Sequence, residues 1–120
     1  MSSKKILIVE DDADLRLGCH LMLKNNGYET CLAVDGLSAI SEALKHRPDL
    51  ILLDLGLPAG DGFVVLERIK GNMNLSLIPV VVVSARYDAA EIAQHLDAGF
   101  VAKPFDAERL VELVGEQCRS

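Results

Sequence analysis

The sequence has no tryptophan, and phenylalanine and tyrosine together make up only 4% of its 120 residues. Its interior must therefore be packed from Leu, Val, Ile and Ala rather than organised around large rings. Cysteine is equally sparse. Cys19, Cys31 and Cys118 are odd in number and far apart, with no CxxC pair and no Cys/His cluster. That excludes a zinc site of the usual spacing and a disulfide framework, and reads as reduced thiols of a cytoplasmic protein. Basic charge is in deficit, 12 Lys and Arg against 18 Asp and Glu, for a net charge of −6. Such a chain does not bind a nucleic-acid backbone directly, because that affinity rests on cations. No long apolar run exists either. The opening MSSKKILIVEDD reaches acids after four apolar residues, too short for a signal peptide or a membrane span. With 50% hydrophobic and 25% charged residues, what remains is a globular chain. Its length and unbroken pattern imply one domain over residues 1–120.

The spacing of apolar residues alternates between two periods. Ile6-Leu7-Ile8-Val9 is a continuous run that predicts a buried strand. Over 13–26, Leu15, Leu17, Leu21 and Leu23 recur at helical spacing until Asn26-Gly27. A second strand is predicted at 29–34. Asp35-Gly36 makes a turn, and Ala39, Ile40, Ala43 and Leu44 mark a second helix that halts before Pro48. Leu50 to Leu53 form a third strand ending on Asp54. A Gly- and Pro-rich loop leads to a helix over 62–71, and Pro79 to Val83 form a fourth strand ending at Ser84. A helix over 88–97, a short strand over 100–102 and an amphipathic helix over 106–118 (Leu110, Val111, Leu113, Val114) complete the chain. Five strands of this kind alternating with five helices predict an α/β fold, a parallel sheet covered on both faces.

In an open parallel sheet the functional crevice lies at the carboxyl ends of the strands. Here the first strand runs into Glu10-Asp11-Asp12, the third ends on Asp54, the fourth on Ser84, and the fifth is followed by Lys103-Pro104. Several ionised carboxylates coexist when a hard divalent cation sits among them, and oxygen ligands suit Mg²⁺. Mg²⁺ held by one or two carboxylates leaves room for phosphate oxygens. The cation, Lys103 and the Ser84 hydroxyl can each meet a different oxygen of a phosphoryl group, with Asp54 as the nucleophile. Each residue also has a plainer reading. The acids at 10–12 suit a helix N-terminus, Asp54 a turn before Gly56, Ser84 a strand-end hydroxyl, Lys103 a solvated surface, and Phe100 the core. Asp61-Gly62 reads as a turn and helix start. His20, His46 and His95 are too far apart in the pattern to form a site and read as helix-face residues.

Taken together, the stretches KKILIVEDDADLR, LILLDLGLPAGDGFVVLERIK, PVVVVSA and FVAKPF resemble the response-regulator receiver domains of two-component signalling, over essentially the whole chain. The resemblance to this CheY-like superfamily implies a (βα)5 flavodoxin-like three-layer fold with strand order 2-1-3-4-5. It implies a switch that accepts a phosphoryl group on Asp54 from a histidine kinase or histidine phosphotransfer domain, catalysing its own phosphorylation and dephosphorylation without a separate turnover substrate. Mg²⁺, with Mn²⁺ as a substitute, would be held by Asp11, Asp54, the Gly56 backbone carbonyl and, through water, Glu10. Lys103 would contact the phosphoryl group, Ser84 and Phe100 would form the switch pair, and Gly56 and Arg86 would tune its lifetime. The Lys103-Pro104 bond would be cis. The fourth helix, fifth strand and last helix would pass the signal to an effector protein or domain.

One departure concerns that output surface. Ser84 and Lys103 are only 19 positions apart, and the run before the aromatic is shortened to Asp97-Ala98-Gly99. The fourth helix, or the loop after it, is therefore expected to be short. DLGLP resembles the receivers of DNA-binding regulators, yet the charges expected on their dimer face are largely missing from 88–118. The expected state is a monomer or a weak, phosphorylation-dependent dimer. Two other classes fit the residues less well. A phosphatase-like enzyme with an aspartyl nucleophile needs a second acid two residues past Asp54, where Gly56 stands. A protein-binding module without phosphorylation leaves Asp11, Asp54, Ser84 and Lys103 unexplained.

Overall fold

A computed structural model of the chain describes residues 3–57 and 61–118. Five strands, β1 (Lys5–Val9), β2 (Glu29–Ala33), β3 (Leu50–Asp54), β4 (Val80–Ser84) and β5 (Gly99–Ala102), form one parallel sheet in the order β2-β1-β3-β4-β5. Between and after them lie α1 (Ala13–Asn25), α2 (Gly36–His46), α3 (Asp61–Gly71), α4 (Ala89–His95) and α5 (Ala107–Cys118). The flavodoxin-like α/β fold expected from the sequence is the fold observed.

Alternation along the strands divides the interior into two layers. Leu7, Val9, Ile51, Leu53, Val80 and Val82 face one way and pack with Ala39, Ala43, Val65, Leu66 and Ile69 from α2 and α3. Ile6, Ile8, Leu50, Leu52, Val81 and Val83 face the other way, against Cys19 and Leu23 of α1 and Leu110, Leu113 and Val114 of α5. All five residues of β3 and of β4 are buried, because a central strand in this architecture is covered on both faces. The edge strands β2 and β5 are less covered. In β2, Leu32 reaches solvent.

Helix starts follow from short polar side chains. Asp12 accepts the amides of Asp14 and Leu15, so it is the N-cap of α1, and Asp35 forms a capping box with Ser38 at the start of α2. The other ends are marked by Arg47 and Asp97, the two positive-φ non-glycine residues among those described, at φ 48° and 54°. α4 has seven residues, shorter than the predicted 88–97, and Leu96, Asp97 and Ala98 are all that separate it from β5. The shortening expected from the Ser84–Lys103 spacing is taken up mainly by the helix. The three cysteines are free thiols, and Cys19 and Cys118 are buried.

The row of leucines on α1 behaves differently from its spacing. Leu15, Leu17 and Leu21 are 39%, 54% and 49% exposed, whereas Leu23 is fully buried beside Cys19. The inward stripe runs through residues 19 and 23, one helical repeat apart. Leu23→Ala is therefore expected to lower unfolding stability by about 3 kcal/mol, and Leu17→Ala to change it by less than about 0.5 kcal/mol, as read from urea denaturation midpoints.

Candidate functional site

The parallel register sets the strand ends level with one another. Val9 pairs with Leu53, Asp54 with Val83, and Ser84 with Ala102. The residues that follow β1 and β5 are thus delivered to the same edge as Asp54 and Ser84. Lys103 Nζ lies 3.2 Å from Glu10 Oε1 and 3.2 Å from Asp54 Oδ2, joining parts of the chain 93 and 49 positions apart. Its backbone amide donates to the Ser84 carbonyl at 3.0 Å, which holds the lysine at the end of β4. The Lys103-Pro104 bond is cis, as the family resemblance implied.

Glu10 and Asp54 are each 6% exposed, and Lys103 bridges their carboxylates. Burial first, and then contact with Asp54, pushes the Glu10 carboxyl up to about 7; the Asp12 amide and Lys103 pull it down but do not prevail. Burial works against the Lys103 ammonium, yet the charges and hydrogen bonds of Asp54 and Glu10 raise its pKa above the ordinary lysine value. The turn reading of Asp54 also holds, because its Oδ1 accepts the Gly56 amide at 2.7 Å. The two uses do not compete, since each carboxylate oxygen has more than one lone pair.

One oxygen each from Glu10, Asp11 and Asp54 lie within 4.8 Å of one another. Two of these acids are buried and Asp11 is exposed, so the group opens to solvent on the Asp11 side. An all-oxygen set with a wet side fits a hard divalent cation that keeps several of its waters. Asp12 stands apart from this group as the cap of α1. Arg16, not anticipated from the sequence, donates from Nη1 to the carbonyls of Glu10 at 2.9 Å and Asp11 at 3.4 Å. It fixes the backbone that aims the acids. The signal available was a cation in the first turns of the helix following an acidic loop.

The other predicted residues lie along the same side of the sheet. Ser84 is buried, and its Oγ accepts the Arg86 amide at 3.0 Å. The Arg86 guanidinium is held in a fork by Asp88, at 3.0 and 2.9 Å. Phe100 pairs with Val82 in the sheet and is half-buried against the α2–α3 core layer. Lys70, in the last turn of α3, donates to the Asp97 carbonyl at 3.0 Å and pins the short link into β5. Next to the site an apolar groove of about 410 Å³ is lined by Leu15, Ala85, Lys103, Pro104 and Phe105.

Gly62, expected as part of a turn and helix start, stands in the first turn of α3. A Cβ there would stand 2.5 Å from Leu55 Cα and 2.6 Å from the Asp54 carbonyl oxygen. Only glycine lets the first turn of α3 close against the strand end that carries Asp54. The sequence showed the glycine but not what it touches. The Asp61 side chain lies outside the described atoms. His20 contacts Thr30, and His46 pairs with Glu42 one turn earlier. Neither joins the acidic group.

Comparison with known proteins agrees with this arrangement. The family model for the response regulator receiver domain matches residues 6–115. The chain is 38% identical over 109 residues to the transcriptional regulatory protein CseB of Streptomyces coelicolor, covering 88% of this chain and 45% of that protein. It is 33% identical over 119 residues to the DNA-binding response regulator MtrA of Mycobacterium tuberculosis, covering 97% and 51%. It thus spans about half the length of the curated relatives it matches. The chemotaxis response regulator CheY4 of Vibrio cholerae superposes with a TM-score of 0.88 at 25% identity, covering 97% of this chain and 99% of that one.

Two outcomes follow from the geometry. Gly62→Ala forces backbone against backbone and is expected to cost about 3 kcal/mol of stability. Gly56→Ala meets only the Asp54 carboxylate, at 3.1 Å, and should cost less than about 1 kcal/mol; denaturant titration of both variants checks the contrast. Glu10 is the pH-sensitive group. Its folded-state pKa is raised, so between 4.5 and about 7 the folded state holds a proton that the unfolded chain has released. In metal-free buffer stability therefore falls as pH rises through that window, and Glu10→Gln should flatten the slope.

Proposed function

The chain belongs to the response regulator receiver domain family, and from that membership we propose that it is a phosphorylation switch whose phosphoacceptor is Asp54. The observation that carries this reading is the Lys103 ammonium set 3.2 Å from an Asp54 oxygen inside a cluster of three carboxylates. The donor is a phosphohistidine of a histidine kinase or histidine phosphotransfer domain. Residues 1–120 act as one receiver domain.

An Asp54 carboxylate oxygen attacks the phosphorus, the bond from phosphorus to the imidazole nitrogen breaks, and its electron pair returns to the ring. Such a transfer needs positioning and charge neutralisation more than covalent help. Lys103 keeps an ammonium beside the oxygen that receives the group. The Gly56 amide and the β3–β4 pairing hold the carboxylate in place. Asp11, Asp54 and the Gly56 carbonyl would ligate Mg²⁺, or Mn²⁺ in its place, with Glu10 reached through water. Bound there, the ion would supply Lewis-acid charge neutralisation. Hydrolysis reverses the switch: water attacks phosphorus, the acyl-phosphate bond breaks, and Asp54 regains its carboxylate.

The Ser84 hydroxyl accepts the Arg86 amide. A phosphoryl group on Asp54 offers it a charged acceptor instead. Ser84 then turns inward, and the half-buried Phe100 fills the vacated space. The α4–β5–α5 surface changes shape, and linkage makes effector affinity and phosphorylation rise together. The effector is a downstream protein or a domain of a longer chain, in keeping with relatives twice this length. The apolar groove at Leu15, Pro104 and Phe105 suits the apolar surface of a phosphodonor. Gly56 leaves the phosphoryl group open to water, and with Arg86 it sets a slow-to-moderate rate of loss.

With radiolabelled acetyl phosphate and Mg²⁺, the native chain should acquire acid-stable, base-labile label. Asp54→Asn should reduce this to background, and Lys103→Ala should slow it while the fold is retained by circular dichroism. Label entering Asp54→Asn at the native rate would remove Asp54 from the role. Release of inorganic phosphate from the labelled protein, without partners present, measures the lifetime.

A further inference from the structure

Four helices follow directly on an aspartate whose backbone carbonyl starts the helical ladder, and three of those aspartates cap. Asp12 accepts the Asp14 and Leu15 amides, Asp35 the Ser38 amide, and Asp106 the Glu108 amide. Asp12 and Asp35 have extended backbones, with ψ 120° and 176°, as the N-cap position requires. Asp88 precedes α4 and its carbonyl accepts the Ile92 amide, yet its side chain makes no bond to the helix, and its ψ is 2°. Both of its carboxylate oxygens are taken by Arg86. The helix left without a cap has only seven residues, the length at which a cap matters most.

Arg86 is placed to leave Asp88. Its amide is tied to the Ser84 hydroxyl. It lies three residues past Val83, the register partner of Asp54. At about 3.3 Å per residue and about 4.8 Å between strands, its Cα is within about 11 Å of that of Asp54. An extended guanidinium and a phosphoaspartate can bridge that separation. The present pair is exposed and therefore weakly held, whereas a phosphoryl group carries more charge and matches the guanidinium fork.

We propose that Asp88 is a two-position residue: clasped to Arg86 it leaves α4 uncapped, and when a phosphoryl group at Asp54 draws Arg86 away it turns to cap α4. The inference rests on Asp54 being the phosphoacceptor. Asp88 is a positioning residue that never touches the phosphoryl group. Capping moves its ψ from near zero to the extended range, which re-aims the start of α4. The state of Asp54 is thereby written into the shortest helix, on the surface through which the switch is read.

The test combines amide hydrogen exchange with titration of fluoroberyllate, a phosphoryl mimic, in the presence of Mg²⁺. In the native chain fluoroberyllate should raise protection of the Ala90 and Glu91 amides. Arg86→Ala frees Asp88, so the same amides should gain about fivefold protection with no mimic present, while fluoroberyllate binds about fivefold more weakly. Asp88→Asn retains a capping side chain but loosens the clasp. It should bind fluoroberyllate about fivefold more tightly than the native chain, and this gain should vanish in the double variant. If Arg86→Ala lowers α4 protection, the pair merely orders the loop and the proposal is wrong. It also fails if Asp88→Asn leaves fluoroberyllate affinity unchanged. Failure of the native chain to bind the mimic would overturn the Asp54 assignment instead, and the mimic-free exchange would still decide whether Arg86 withholds the cap.

Discussion

One ammonium held between two buried carboxylates governs this molecule. Glu10 and Asp54 are almost wholly shielded from water, where uncompensated charge is costly. Lys103 supplies the compensation, and Glu10 supplies the rest by holding its proton more tightly than a free glutamate. The Lys103 amide must then be fixed to β4, β5 must end where β1 and β3 end, and the chain must turn at once through a cis proline. The all-aliphatic strands serve the same end. They form a rigid parallel sheet whose register is set by burial on both faces, so their last residues arrive level.

A site built this way is poised rather than relaxed. Three acids converge, and one of them keeps its pKa near neutrality because it is buried and, second, because its neighbour is an acid. A divalent cation or a change in charge at Asp54 alters every term in the balance. The acidic surface of the whole chain adds to the cost of more negative charge and makes local cations decisive. Lys103 and Arg86 both follow the ends of strands at this edge, and they are held differently. Lys103 is bound among the carboxylates, while Arg86 is clasped by a half-exposed aspartate.

The route away from the site is short because α4 is short. Its link to β5 contains a left-handed Asp97 whose carbonyl is pinned by Lys70 from α3. Phe100 packs in the same layer as α2, α3 and α4, whose Ala89 and Ala93 are buried in it, so the link, the short helix and the aromatic share one core. A change at the end of β4 has few residues across which to dissipate before it reaches the surface.

Much of this was legible in the chain. Apolar runs ending in acids and a serine identified the first, third and fourth strands, and a shorter run before Lys103 the fifth, because parallel strands must be apolar throughout and carry function at one edge. The 19-residue interval from Ser84 to Lys103 foretold the short α4. Other features were not legible, because they depend on contacts between distant segments. The spacing of leucines on α1 could not tell Leu23, which faces the sheet, from Leu17, which faces water. Gly62 read as a turn until its distance to Leu55 was known. Asp88 falls at the start of the helix expected over 88–97, and only the fold shows its carboxylate taken by Arg86. Local sequence determined which residue types stand at the strand ends, since hydrophobic period and chain direction are local properties. Tertiary structure decided which of them meet, because a 3.2 Å contact between Lys103 and Asp54 exists only once the strands that carry them are aligned in one sheet.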